Sequence, residues 1–274
     1  MAMQTGWLEY QSAGEAIPAF FARPPGARAP LPAVVVIHEL YGVEQHIEDV
    51  TCRFAAAGYE ALAPDLWSPG GARAEVITRE RVAAMRAFLT ANPAAWSGPE
   101  ARERALAAVD EPERQRLAAT MARMFGPDEG RAQRFARYTE IVRGAVAHLR
   151  AGPDAAARKI GAVGFCMGGG IAGLVACSEP ALSAAVVFYG APPPLDRVAA
   201  IDCPVLGHYA DPDPRITPGI PAFAEAMRAQ GKRFEHHVYG APHAFFNDTA
   251  GAYRPDAARA AWARTLAFLL AELG

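Results

Sequence analysis

Three residue types that together can transfer an acyl group stand far apart in this chain. Gly164-Phe165-Cys166-Met167-Gly168-Gly169-Gly170 sets a cysteine between glycines, after one apolar run and before another. A thiol at the first turn of a helix faces the positive end of the helix dipole, which favours the reactive thiolate. His243 lies in Tyr239-Gly240-Ala241-Pro242-His243-Ala244-Phe245, just past a β-rich stretch, where loops reach the rim of a site. Between them in chain order stand two carboxylates, Asp211 and Asp213, in Ala210-Asp211-Pro212-Asp213-Pro214-Arg215-Ile216. Nucleophile, imidazole base and orienting acid are the set needed for acyl transfer through a covalent thioester. Spacing does not separate Asp211 from Asp213. Glu39, at the end of the run Ala33-Val34-Val35-Val36-Ile37-His38, is a fourth candidate over the same rim.

Other chemistries fit less well. Cys52, Cys166, Cys177 and Cys203 have no CxxC spacing, so neither a structural zinc site nor a disulfide framework is expected. His236 and His237 are adjacent in a strand and point to opposite faces, which argues against a metal site shared with His243. No metal and no cofactor is implied. With 27 basic and 29 acidic residues, the net charge of −2 offers no footprint for nucleic acid or an anionic membrane. No apolar run approaches the roughly 20 residues that cross a bilayer, and the first ten residues lack a signal-peptide pattern. A reduced, cytoplasmic setting is the expectation.

The elements that position these residues follow from hydrophobic pattern. The continuous apolar run at 33–38 reads as a strand buried on both faces, and further strands are expected at 59–63, 160–165, 184–189, 204–209 and 233–239. Residues 7–10 and 17–22, joined through Ser12-Ala13-Gly14-Glu15, read as an antiparallel hairpin at one edge. Helices are expected over 49–57, stopped by Gly58, and along Phe135, Tyr138, Val142, Ala145 and Leu149, ended by Gly152-Pro153. Trp262, Leu266, Leu269 and Leu273 make a last apolar stripe. Strands alternating with helices predict a single α/β domain over 1–274, a mostly parallel sheet flanked by helices. More than 60 residues separate Ala63 from the helix near Arg131, against the usual 2–6 for such a loop. Helical composition at 76–89 and 100–124, broken at Asn92-Pro93, Gly98-Pro99 and Pro112, marks 68–130 as a helical insertion, expected to act as a lid.

In that context the G-x-C-x-G turn is the nucleophile elbow of the α/β-hydrolase fold, with cysteine in place of the commoner serine. The N–H of Met167 then serves as one oxyanion donor. His38-Glu39-Leu40-Tyr41-Gly42, Pro64-Asp65-Leu66-Trp67, Gly164 to Gly169, Tyr209 to Pro221 and His243-Ala244-Phe245-Phe246-Asn247-Asp248 together resemble the dienelactone hydrolases (carboxymethylenebutenolidases) over most of the chain outside the insertion. The resemblance implies hydrolysis of a small ester or lactone by a Cys166–His243–Asp213 triad, since Asp213-Pro214-Arg215-Ile216 falls on the family's Asp-x-Arg-Ile pattern. It also implies that Glu39 interacts with the resting thiol and helps activate it, and that the Leu40 N–H is the second oxyanion donor. Tyr41, Trp67 and Phe246 are expected in the substrate site. The arginines with which family members grip a substrate carboxylate are not evident, and Arg73, Arg79 or Arg81 are the available substitutes. A thioesterase, or a non-catalytic thiol sensor on the same fold, is the alternative.

Overall fold

The computed structural model describes residues 2–26, 31–126, 130–151 and 158–274. Eight strands form one sheet: β1 (Gln4–Ser12), β2 (Glu15–Arg23), β3 (Ala33–Ile37), β4 (Glu60–Pro64), β5 (Ile160–Phe165), β6 (Ala184–Phe188), β7 (Val205–Ala210) and β8 (Phe234–Tyr239). Their order is β1-β2-β4-β3-β5-β6-β7-β8. The β1–β2 hairpin is antiparallel and joins β4 antiparallel, while every pair from β4 to β8 is parallel. β3, β5, β6 and β7 are buried at every position, which is why, His208 of β7 apart, they carry apolar runs rather than alternation.

Alternate residues feed two cores. Val34, Val36, Val163 and Phe165 face α1 (Gln45–Ala56) and α8 (Pro255–Leu273), which supply Val50, Phe54, Leu269 and Leu273. Val35, Ile37 and Ala162 face the opposite way, toward α5 (Arg131–Arg150) and α6 (Met167–Ala176). α7 (Ile220–Ala229), absent from the sequence reading, buries Ile220, Phe223 and Met227 on the same side. Its opening Thr217-Pro218-Gly219-Ile220-Pro221 looks like loop, yet proline is tolerated in a first helical turn because its missing N–H has no helical partner there. α1 begins four residues before the expected start. Polar His46 and Thr51 share its buried face and blur the apolar stripe of Ile47, Val50 and Phe54. Gly58 ends it as expected, at φ +103°. α5 closes at Arg150, and Gly152-Pro153 lies outside the described residues.

The long segment after β4 folds into α2 (Arg79–Ala91), α3 (Pro99–Leu106) and α4 (Glu113–Phe125), separated at Asn92-Pro93, Gly98-Pro99 and Pro112. Ile77, Val82, Met85, Leu89, Leu117, Met121 and Met124 are buried in the same core as Leu66, Trp67 and Tyr138. This segment thus shares the core of the domain rather than being merely tethered to it. No helix among the described residues is long and apolar enough to cross a membrane.

Candidate active site

β5 delivers Cys166 to the site through a bend that only its glycine neighbours permit. Cys166 has φ +53° and caps α6, with Gly169 and Gly170 N–H groups donating to its carbonyl at 3.0 and 3.2 Å. A Cβ on Gly164 would lie 1.9 Å from the Gly168 carbonyl oxygen, and one on Gly168 would lie 2.2 Å from that of Ile37. Glycine is a poor helix former, so this run is explained by close backbone approach, of Gly168 to the end of β3 and of Gly169 to the end of β6, not by helix propensity. The strained bend holds the thiol half-buried at the carboxyl ends of the strands.

The other two members arrive from the loops after β7 and β8. His243 Nε2 lies 3.1 Å from Cys166 Sγ, and Nδ1 lies 2.6 Å from Asp213 Oδ2. Asp213 is buried, its Oδ1 accepting from the Arg215 N–H at 3.3 Å and its backbone carbonyl from the Thr217 N–H. Asp211, two residues away, is exposed. Of the two acids that spacing left open, only Asp213 meets the imidazole.

Electrostatics tighten this chain of contacts. Burial opposes a charged imidazole, but the negative charge of the Cys166 sulfur and hydrogen bonds to Asp213 and Sγ outweigh it, pushing His243 up to about 10. Burial pushes the Asp213 carboxyl up, yet the hydrogen bond and charge of His243 leave it below the usual range. Because the folded state raises the imidazole pKa above its ordinary value of about 6.5, protonated His243 stabilises the fold. That contribution is full below about pH 6.5 and is lost as pH rises through about 10. The melting-temperature difference between wild type and His243→Gln is therefore expected to shrink across that window. A difference that grew with pH would contradict the arrangement.

Glu39, 6% exposed, is held at both oxygens: Tyr189 OH donates to Oε1 at 2.9 Å and Asn247 Nδ2 to Oε2 at 2.7 Å. The thiol's hydrogen-bond partner is His243, not Glu39. Burial and the Glu39 charge raise the Tyr189 phenol well above its ordinary value, so it stays a donor. Its ring lies 5.0 Å from that of His243. Leu40 and Met167 present backbone N–H groups that donate to no described residue. Free backbone donors of this kind suit an oxyanion.

The expected pocket residues separate. Tyr41 is half-buried beside the site, the Arg86 guanidinium 5.3 Å over its ring. Trp67 is 1% exposed and lies behind the Leu40 loop, its Nε1 donating to the Leu40 carbonyl at 2.9 Å. Phe246 is instead core: it is 3% exposed and packs on Phe165, Phe188 and Trp262, because the chain after His243 turns inward toward α8. Arg73 pairs with Asp65 at 2.8 Å, Arg81 bonds Thr120 and the Arg116 carbonyl, and Arg79 sits over the Trp7 ring. His236 stacks on Phe234, and His237 bonds Glu235 at 2.8 Å.

Sequence reasoning missed Tyr189 and Arg86. Tyr189 had a signal, an aromatic hydroxyl at the end of the strand beside the elbow. Arg86, on α2, bonds Glu44 at 3.1 Å and both the carbonyl and hydroxyl of Thr249 at 2.9 Å, contacts no local pattern announces. Asn247 is the Glu39 clamp, and Asp248 bonds His46 and Arg53.

A mostly parallel sheet whose fifth strand ends in a strained cysteine, with a carboxylate and a histidine on the loops after β7 and β8, is the arrangement of the α/β-hydrolases. Within that class the chain belongs to the dienelactone hydrolase family, whose model matches residues 17–273. It is 33% identical over 263 residues to a "Putative carboxymethylenebutenolidase" of Saccharolobus solfataricus, covering 95% of this chain and 96% of that one. It is 30% identical over 276 residues to a "Probable 2-oxo-3-(5-oxofuran-2-ylidene)propanoate lactonase" of Bradyrhizobium, covering 96% and 92%. A crystal structure of a "Putative Dienelactone Hydrolase" from Klebsiella pneumoniae superposes with a TM-score of 0.66 at 28% identity, covering 97% and 98%. The protein is a carboxylic ester hydrolase of the dienelactone hydrolase kind.

Proposed function

We propose that this enzyme opens small lactones or cleaves small esters through a Cys166–His243–Asp213 triad and an acyl-thioester. The observation that carries this reading is the unbroken line from Sγ through the imidazole to Asp213, at 3.1 and 2.6 Å, on a strained elbow. With the thiol proton already held on His243, Sγ adds to the carbonyl carbon. The N–H groups of Leu40 and Met167 receive the oxygen as it becomes negative. As the carbon–oxygen ester bond breaks, the imidazolium protonates the departing alkoxide, which in a lactone stays tethered to the acyl group. Water deprotonated by His243 then adds to the thioester, and Sγ leaves to regain its proton. Asp213 keeps the proton of the resting imidazole on Nδ1 and stabilises the imidazolium.

Glu39, as the family resemblance implies, takes part in activating the thiol. In support, Tyr189 and Asn247 clamp its buried carboxylate, and the Tyr189 ring lies 5.0 Å from that of His243. Residues 68–130 form a cover within a single domain spanning 1–274. In support, Arg86 of α2 ties this segment to both rim loops, at Glu44 and at Thr249. The lactonase named among the relatives favours lactones as the substrate class.

A hydrolysis screen over lactones, aryl esters and thioesters tests the reading. Lactone or ester turnover that vanishes in Cys166→Ala is expected. Turnover confined to thioesters would move the substrate class, and a reactive thiol with no turnover would favour a sensor.

A further inference from the structure

The loop after β3 must hold one amide N–H still, that of Leu40, although it belongs to no helix or strand. That N–H shares a planar amide with the carbonyl of Glu39, so whatever fixes the carbonyl fixes the donor. His38 Nδ1 lies 2.5 Å from the Glu39 carbonyl oxygen, which also accepts from the Gly42 N–H at 3.4 Å. On the far side of the same residue, Trp67 Nε1–H donates to the Leu40 carbonyl at 2.9 Å.

The imidazole of His38 has only one tautomer available to it. The Leu66 N–H donates to Nε2 at 3.1 Å, so Nε2 is the unprotonated nitrogen and Nδ1 carries the hydrogen. Burial pushes the basicity of this ring down, which keeps it neutral. The ring is itself mounted on the turn after β4. Asp65 accepts from the Trp67 N–H, from Ser68 Oγ and from Arg73 Nε, locking Leu66 in place. His38 is fully buried and out of reach of any substrate, and the proposed chemistry gives it no task.

We infer that His38 is a positioning residue for the oxyanion hole, fixing the plane of the Glu39–Leu40 amide so that its N–H meets the developing oxyanion, with Trp67 as the second brace. A hydrogen bond accepted by the carbonyl also polarises the amide and strengthens the N–H as a donor. This rests on the reading above, in which the Leu40 N–H receives the substrate oxygen. Its consequence is selective. Acylation of Cys166 by an ester passes through an oxyanion, whereas alkylation by iodoacetamide, in which Sγ displaces iodide at a saturated carbon, does not.

The test compares acylation by p-nitrophenyl acetate with alkylation by iodoacetamide in wild type, His38→Phe, His38→Asn and Trp67→Phe. His38→Phe and Trp67→Phe are expected to acylate about 10- to 100-fold more slowly, since an oxyanion donor is weakened but not removed. Their kcat falls while KM stays near wild type, and alkylation keeps its rate. His38→Asn places an amide N–H where Nδ1 stood and should recover most of the acylation rate. Unchanged acylation in the phenylalanine variants would overturn the inference. So would a parallel fall in alkylation, which marks a general disruption of the site, or an asparagine variant as impaired as His38→Phe. If His38→Phe does not fold, Trp67→Phe decides by the same criteria, because it keeps an aromatic ring in the buried slot while removing the donor with the rest of the indole. Should Cys166→Ala acylate like wild type, the proposed function itself falls and the inference with it. Cys166-dependent acylation that ignores both braces defeats the inference alone.

Discussion

Cys166→Ala is expected to lower kcat on a small lactone or ester by about 10⁴-fold or more while the protein still folds. The size follows from removing the only atom that bonds to substrate, since triads lose nearly all their rate with the nucleophile. Folding should survive because the change is small and the bend keeps its glycines. Cys166 is half-buried, so little packing is lost, although His243 loses the negative partner that holds its proton. The residual rate should come from the Leu40 and Met167 donors, which bind the oxyanion whichever nucleophile attacks. Initial rates and a thermal melt on one preparation check both halves. Turnover within about tenfold of wild type would remove the thiol from the chemistry.

The second large effect separates two neighbouring acids. Asp213→Asn is expected to cost about 10³- to 10⁴-fold in kcat, or roughly 4–5 kcal/mol of transition-state stabilisation. An amide at that position can turn its NH₂ toward Nδ1 and force the proton onto Nε2, where it can no longer be accepted from the thiol. Asp211→Asn should stay within about twofold, as an exposed surface change does. The same asparagine removes a hydrogen bond and a charge that keep the imidazolium protonated, so the His243 titration should move down from about 10. Equal losses from the two substitutions would mean that the loop, not the carboxylate at 213, matters.

Much of this site could be read from the chain because each group of the proposed triad sits at an element boundary with its own punctuation. The glycines at 164 and 168 report backbone contacts with Gly168 and Ile37 that forbid a Cβ, so the elbow is written in local sequence. His243 follows a strand by a few residues. The choice between Asp211 and Asp213 was not legible in spacing, because it depends on which carboxylate the turn buries, and that is set by contacts with Arg215 and Thr217. Phe246 was misplaced because an aromatic beside a catalytic histidine looks the same whether the chain runs along the rim or dives under it. Tyr189, Asn247 and Arg86 meet their partners across 150, 208 and 42 residues, separations at which periodicity carries no information. α7 was hidden by the prolines that open it.

The fold and the proposed chemistry meet at one bond, the thioester between Cys166 and the acyl group of the substrate. Intact-mass analysis of wild type quenched in acid during turnover of p-nitrophenyl acetate, followed by peptide mapping, looks for that bond directly. The account predicts a single added acetyl group on the peptide that contains Cys166, absent from Cys166→Ala and appearing as fast as the burst of nitrophenolate. An acetyl group on another residue with the same burst kinetics, or a burst that persists in Cys166→Ala, would contradict it.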